Sequence, residues 1–403
     1  MNEILLINVS GQNLPGLTSS ITAILARYDV AVLDIGQAVI HNTLSLGFLV
    51  QLADAAESAA LKDLVFRAYE LGVEIRFTPI SEDDYGDWVA QQQNERYIVT
   101  LLGPRITAAH ISAITAIVAD SGLDISDISR LSGRMPLHPD HRHDRTCVQL
   151  TVGGHAPDLG EMRSRFLHVS AEQGIDVAFQ VDDVYRRNRR LVAFDMDSTL
   201  VRCEVIDELA IAAGVGAQVA AITEQAMNGE LDFRASFVRR LALLEGLPEA
   251  VLEQIAGRLP LADGAERLVA NLKSLGYKIA ILSGGFTYFA EYLQRRLGID
   301  YVYANELEIV DGKLTGRVVG DIVDGARKAQ LVEEIARREN IRLQQVIAVG
   351  DGANDLPMLS IAGLGIAFHA KPIVRREAGQ SISSVGLDGI LYLMGVRDRE
   401  AQD

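Results

Sequence analysis

Leu191-Val192-Ala193-Phe194 runs straight into Asp195-Met196-Asp197-Ser198-Thr199, and this junction constrains the fold more than any other stretch. Four apolar residues bounded by charge read as a strand buried on both faces, the signature of a parallel sheet. In an open α/β sheet, ligands sit beyond the carboxyl ends of the strands, where the two aspartates fall. Aspartates one residue apart on extended chain point to opposite sides, so both serve one site only if the chain turns after Phe194. Alone, Asp-x-Asp is weak, because most such pairs are solvated loop acids. Its weight depends on what lies downstream.

Downstream, the pattern repeats. Lys278–Leu282 reads as a strand, followed by Ser283-Gly284-Gly285-Phe286 and a helix from Thr287. Tyr301–Ala304 is a further strand, with a hairpin turn at Asp311-Gly312. Val346–Val349 ends in Gly350-Asp351-Gly352-Ala353-Asn354-Asp355, and Leu364–Phe368 follows. Apolar strands separated by helices imply a doubly covered parallel sheet. Ala326-Arg327-Lys328 opens one of those helices. Between Thr199 and Lys278 lies a mostly helical insertion, about 204–259, with Val205, Leu209, Ala212 and Ala213 on one apolar face. Phe233, Phe237, Leu241 and Leu244 mark another.

Three strand ends therefore carry chemistry: Asp195 with Asp197, Ser283 with Gly284, and Asp351 with Asn354 and Asp355. A carboxylate nucleophile can accept a phosphoryl group as an acyl phosphate, splitting one hydrolysis into two easier steps. A second carboxylate can protonate the leaving oxygen and then deprotonate water. A hydroxyl and the N–H groups of a glycine-rich turn can cradle phosphate oxygens. A lysine and a hard dication held by aspartates offset the charge on the transferring group. Any one of these could be structural; all four, in order on successive strands, are hard to explain as packing.

The N-terminal half carries a repeat. Ile21-Thr22-Ala23-Ile24-Leu25-Ala26 recurs as Ile114-Thr115-Ala116-Ile117-Val118-Ala119, and the same offset aligns Asp34-Ile35 with Asp127-Ile128. The first copy reads strand (Ile4–Val9), helix (Gly16–Tyr28), strand (Val30–Ile40), strand (Leu44–Leu52), helix (Glu57–Leu71), strand (Val73–Pro79). The second runs from about Tyr97 to Val181 in the same order, with an insertion near Gly133–Arg145. Ser81–Glu95 reads as a polar linker and Arg186-Arg187-Asn188-Arg189-Arg190 as a charged one. His138, His141 and His143 match no closed metal site and read as a solvated loop. The domain boundaries expected are thus 1–80, 96–182 and 190–397, with the cap at 204–259.

Composition narrows the function. A net charge of −16 over 403 residues gives no basic excess for a general nucleic-acid binder. Two cysteines, Cys147 and Cys203, fit a reducing compartment, and Cys203 reads as a small buried residue. No apolar run reaches membrane-spanning length and no signal-like segment opens the chain, so the expected location is cytoplasmic.

The four C-terminal motifs, Asp195-Met196-Asp197-Ser198-Thr199, Ser283-Gly284-Gly285, Lys328 and Gly350-Asp351-Gly352-Ala353-Asn354-Asp355, resemble those of haloacid-dehalogenase-type phosphatases. More narrowly, residues 190–395 resemble phosphoserine phosphatases. The resemblance implies Asp195 as nucleophile and Asp197 as general acid/base. It also implies Mg²⁺ held by Asp195, the Asp197 backbone carbonyl and Asp351, with Asp355 supporting the metal shell or Lys328. Phosphate contacts would come from Ser283, Gly284 and Lys328. In the cap it implies Glu204 for the substrate ammonium and Arg240 for its carboxylate, with Met227, Phe233 and Asn354 around the substrate. Sequence leaves open whether Arg239 or Arg240 points inward.

The repeat, βαββαβ with a Leu14-Pro15-Gly16 turn, is similar to the ACT domain. That resemblance implies a homodimer and an amino-acid effector, serine, at the Asn13–Gly16 turn; Pro15-Gly16 aligns with Ala108-Ala109 in the second copy. Two other functions stay open on sequence alone. One is a phosphotransferase passing the phosphoryl group to another alcohol such as homoserine. The other is an amino-acid-responsive binding protein with an inactive catalytic half.

Overall fold

The structure, a computed structural model, describes residues 2–53, 57–91, 95–134, 145–155, 158–227 and 230–402. The side chains of Asn2, Glu57 and Met227 and the loop carrying His138, His141 and His143 lie outside the described residues. The chain forms two compact units, Met1–Asn94 and Glu95–Asp403.

In the first unit, β1 (Asn2–Gln12), α1 (Leu17–Arg27), β2 (Ala31–Ile40), β3 (Thr43–Ala53), α2 (Glu57–Leu71) and β4 (Glu74–Ile80) build one antiparallel sheet. The strand order is β2-β3-β1-β4. Alternation explains it: Leu44, Leu46, Phe48, Val50 and Leu52 of β3 are all buried against the helices, while the residues between them face outward. The stretch read as a linker instead carries a helix, α3 (Glu82–Gln91). Ser81 caps it, its hydroxyl accepting the Asp84 N–H at 3.0 Å, and Glu82, Asp83 and Asp84 favour its N-terminal dipole. No residue of α3 is buried, so the amphipathic pattern that flags a core helix was missing.

The second unit opens with the repeat. β5 (Arg96–Gly103), α4 (Ala108–Asp120), β6 (Asp124–Arg130), β7 (Thr146–Gly153), α5 (Leu159–Gln173) and β8 (Asp176–Val181) form a sheet of order β6-β7-β5-β8, matching the first module.

The catalytic half follows with β9 (Leu191–Phe194) and the cap helices α6 (Val205–Ala212), α7 (Gly216–Met227), α8 (Phe233–Ala242) and α9 (Ala250–Ala256). Then come α10 (Ala265–Ser274), β10 (Lys278–Phe286), α11 (Thr287–Leu297), β11 (Tyr301–Val310), β12 (Lys313–Val319) and α12 (Gly325–Arg338). β13 (Val346–Gly350), α13 (Leu356–Ile361), β14 (Leu364–Phe368), α14 (Pro372–Glu377), β15 (Gln380–Ile382) and α15 (Ile390–Leu393) complete it. The sheet order is β12-β11-β10-β9-β13-β14-β15, parallel except for the β11–β12 hairpin. That hairpin turns at Asp311 (φ 49°) and Gly312 (φ 71°). Strand residues alternate between two cores: Val192, Phe194, Ile347 and Val349 enter one, Leu191, Ala193, Val346 and Ala348 the other. On α6 the buried face is Val205, Ile206, Leu209 and Ala210, whereas Ala212, expected on that face, is exposed.

The second module is built into the catalytic half. Leu102, Leu131, Cys147 and Ala178 belong to the same hydrophobic core as Phe194 and Ile347. The Gln380 side chain extends the β8 ladder, accepting the Phe179 N–H at 2.8 Å and donating to the Phe179 carbonyl at 2.7 Å. Buried Asp176 accepts the N–H groups of Ser383 and Ser384, each at 2.8 Å. The basic stretch at 186–190 is part of this joint rather than a solvated linker. Arg186 is buried and donates to Gln149 at 2.8 Å, and buried Arg189 donates to the Gln344 carbonyl.

Candidate active site

Strand register builds the site. Phe194 pairs with Ile281 of β10 on one side and with Val349 of β13 on the other. The residues just beyond these pairs, Asp195, Ser283 and Asp351, therefore emerge side by side at the carboxyl edge, where the sheet order doubles back. The chain does turn here: Asp195 and Asp197 both have extended backbone, and Ser198 directly after them has φ 54°.

Lys328, fully buried near the start of α12, lies between two carboxylates, 2.9 Å from Asp195 Oδ1 and 2.7 Å from Asp355 Oδ1. The other Asp355 oxygen accepts the N–H groups of Asp351 at 3.1 Å and Gly352 at 3.0 Å. Gly350 makes room for this, since a Cβ there would come within 2.4 Å of the Asp355 carboxylate. Carboxylate oxygens of Asp195, Asp351 and Asp355 can all lie within 4.8 Å of one another, a set able to hold a metal ion. Asp197 stands apart from that trio. Its Oδ1 accepts the Val205 N–H at 3.3 Å, and its Oδ2 lies where a Cβ on Gly285 would reach within 2.6 Å.

The electrostatics follow from crowding acids in a dry place. Burial, then the charges of Asp355 and Asp351, push Asp195 up to about 8 against the pull of Lys328. Burial, with Asp355 and Glu204 nearby, pushes Asp351 up to about 7. Burial, with Glu204 and Asp195 beside it, holds Asp197 well above the usual carboxylate range. Burial alone would lower Lys328, but Asp195 and Asp355 hold its ammonium above the ordinary value. Asp195 and Asp351 thus sit where they favour the neutral form, a donor set that a hard dication would relieve.

These groups open into a cavity of ≈ 870 Å³ shared by sheet and cap. Ser283, Gly284, Gly285 and Asn354 line its floor, and Glu204, Phe233 and Arg240 its cap side. Arg240 lines it whereas Arg239 is exposed and does not, which separates the two arginines. On α8, residues 233, 236, 237 and 240 share one face at helical spacing, and all four border the cavity. The Arg240 Nε is buried with no hydrogen-bond partner among the described residues. Glu204 accepts from the Ser198 hydroxyl at 2.8 Å, and Glu204, Asp207 and Asp197 all lie in reach of the Arg240 charge. Phe233 covers the glycine turn: its ring tip is 2.9 Å from where a Gly284 Cβ would sit.

Two residues here had no role in the sequence reading. Asn305, buried in β11, donates to the Gly284 carbonyl at 2.8 Å and accepts the Val323 N–H at 2.8 Å, fixing the glycine turn. A lone asparagine inside a strand gave no signal. Asp207 lines the cavity beside Arg240, yet on sequence it is one more acid in a first helical turn.

Comparison with known proteins fits this arrangement. A family model described as haloacid dehalogenase-like hydrolase matches residues 192–360, and an ACT domain model matches residues 3–78. A phosphoserine phosphatase of Mycobacterium tuberculosis is 42% identical over 399 residues, spanning 98% of this chain and 94% of that protein. One of Streptomyces coelicolor is 39% identical over 398 residues, spanning 99% and 93%. Among solved structures, a haloacid-dehalogenase-family hydrolase of Salmonella enterica superposes with a TM-score of 0.63 at 33% identity. It covers 74% of this chain and 98% of its own.

Proposed function

Because the chain belongs to the phosphoserine phosphatase family of haloacid dehalogenase-like hydrolases, we propose that it hydrolyses O-phospho-L-serine to L-serine and phosphate through an aspartyl phosphate on Asp195. The observation that carries this reading is one cavity holding a lysine-paired carboxylate at one end and Glu204 with Arg240 at the other. Phosphate needs the first end, and an ammonium with a carboxylate needs the second.

Asp195 attacks phosphorus while Lys328 and the Ser283–Gly285 turn take the charge on the phosphate oxygens. Asp197, kept neutral by burial and by its acidic neighbours, donates its proton to the departing serine oxygen. The resulting carboxylate then takes a proton from the water that opens the acyl phosphate. Mg²⁺ would be held by Asp195, Asp351 and the Asp197 carbonyl, where it supplies charge that offsets the phosphate. Asp355 has both oxygens engaged by Lys328 and two backbone N–H groups, which supports a bracing role for it. The alternative of an alcohol acceptor is tested directly. Phosphate released from phosphoserine should match serine formed, and adding homoserine should yield no phosphohomoserine.

Arg240→Ala should impair phosphoserine hydrolysis by about 2–4 kcal/mol in transition-state binding, and a simple phosphate ester far less. Arg239→Ala should leave both nearly unchanged. Equal losses on both substrates would assign Arg240 to cap structure instead.

The metal makes a pH-dependent prediction. Folded Asp195 and Asp351 retain protons that the unfolded chain has released, so metal-free stability should fall as pH rises from the ordinary carboxylate range toward about 8. Mg²⁺ should therefore raise the melting temperature more at pH 8 than at pH 6. Asp351→Ala should remove most of that difference. Equal Mg²⁺ shifts at both pH values would argue against this ligand set.

The first module is read as the regulatory and dimerising part. Exposed Val32, Ile35 and Val39 on edge strand β2, which pair with Val50, Phe48 and Leu44 and share one face, offer an apolar strip for a second copy. L-Serine is the effector expected at the turn before α1, where Asn13 is exposed and its N–H donates to the Asn42 carbonyl at 2.7 Å. Gly16 has φ 83°, so the backbone itself calls for glycine and Asn13→Ala is the cleaner probe. Serine should inhibit with a component that excess phosphoserine does not relieve, and Asn13→Ala should weaken it. Purely competitive inhibition in both proteins would leave this turn a structural role.

A further inference from the structure

A second cavity, of ≈ 910 Å³, opens where the second module meets the catalytic sheet, and it shares no lining residue with the first. Its floor is apolar, from Ile106, Phe368 and Val385, and its cations are Arg105, Arg130 and Arg202. Arg202 is partly offset by Asp263 at 3.2 Å. Arg105 has no hydrogen bond or ion pair among the described residues. Among the described residues Arg130 donates only to the carbonyls of Ser132 and Gly133, each at 3.2 Å, contacts that fix its guanidinium and carry no charge. The walls are fixed too, because Asp176 holds the Ser383–Ser384 backbone next to Val385.

The position matters as much as the charge. The chain leaves the sheet for the cap and returns at this cavity, where Val201 pairs with Leu261. Arg202 N–H donates to the Pro260 carbonyl and Ala262 N–H to the Leu200 carbonyl, both at 2.9 Å. Arg202 and Ala262 both line the space. A ligand there touches the second module and both cap connections at once.

We propose that this cavity binds a small organic carboxylate, its anion taken by Arg105 and Arg130 and its carbon body resting on the apolar floor. Guanidinium forks match a carboxylate bidentately. The floor calls for an organic body, which free phosphate lacks. The site is separate from the catalytic cavity, so its ligand is an effector and not the molecule turned over.

Phenylglyoxal, which modifies accessible guanidinium groups, tests this on the full-length protein with each arginine read by peptide mass. Probes are L-serine, 3-hydroxypropionate and inorganic phosphate. At about ten times its dissociation constant, a carboxylate probe should slow labelling of Arg105 and Arg130 roughly tenfold. Exposed Arg337 on α12 should label as before. Arg130→Gln should abolish the protection of Arg105, and the wild-type result stands by itself if that variant does not fold. The proposal is overturned by any of four outcomes: no protection from either carboxylate, equal protection at Arg337, protection by phosphate alone, or Arg105 protection that survives Arg130→Gln.

Discussion

Asp195→Asn is expected to abolish phosphate release and, with it, any acid-labile phosphoenzyme. The amide has the shape of the carboxylate, so the Met196 N–H that donates to Asp195 Oδ1 at 2.7 Å keeps an acceptor, and Lys328 still has Asp355. What is lost is the anionic oxygen that attacks phosphorus. Removing a residue that acts as one unit with its neighbours costs on the order of 10⁶-fold in turnover. Fold and chemistry separate cleanly in this variant. The site holds Asp195 up at about 8, so the folded protein prefers the neutral form, and asparagine imitates that form. The metal-free variant should therefore be at least as stable as wild type at pH 8, with the advantage shrinking toward pH 5. Labelled phosphoserine, acid quench and a urea titration at two pH values cover both halves. Activity within tenfold of wild type would end the covalent reading.

The sequence made the strand ends legible because each is a short apolar run stopped by residues with no place in a core. Asp195, Ser283 and Asp351 were readable for that reason, and the β10 and β13 pairings with β9 bring them together as expected. Helix phase separates the two arginines: Arg240 is seven residues after Phe233 and shares its face, which sets it apart from Arg239. Contacts between residues far apart in the chain were not readable. Asn305 ties the glycine turn through partners on separate segments, and no local pattern marks it. The basic run at 186–190 looked solvated because its composition is that of a linker. Arg186 and Arg189 are buried only because Gln149 and the Gln344 carbonyl meet them from distant segments. Gln380 and Asp176 are the same case, ordinary polar residues whose work is to join a module to a sheet.

Lys328→Met should cost stability as well as turnover, and the dependence of that cost on pH identifies the cause. Lys328 is fully buried, and its ammonium is the one cation within 3 Å of Asp195 and Asp355 among the described residues. Methionine fills a similar volume, so cavity formation contributes little. It leaves two buried carboxylates facing each other with nothing between them. Breaking a buried pair from one side costs about 3–5 kcal/mol, because the remaining charge is uncompensated. Asp195 can escape by binding a proton. In the variant its folded-state affinity for a proton, already held up at about 8, rises further, while in the unfolded chain it titrates in the ordinary range. Between that range and the new folded value the native state binds more protons than the unfolded one, so its stability falls as pH rises. Wild type shares that fall up to about 8, so the loss relative to it should be small through pH 7 and open as pH rises past 8. Adding Asp355→Asn to the variant should recover part of it, since one of the opposed charges is then gone. Turnover should fall about 10²–10³-fold at every pH, because the transferring phosphate loses the cation nearest its attacker. A stability loss independent of pH, or a double variant no more stable than the single one, would mean that Lys328 acts through packing and not through its charge.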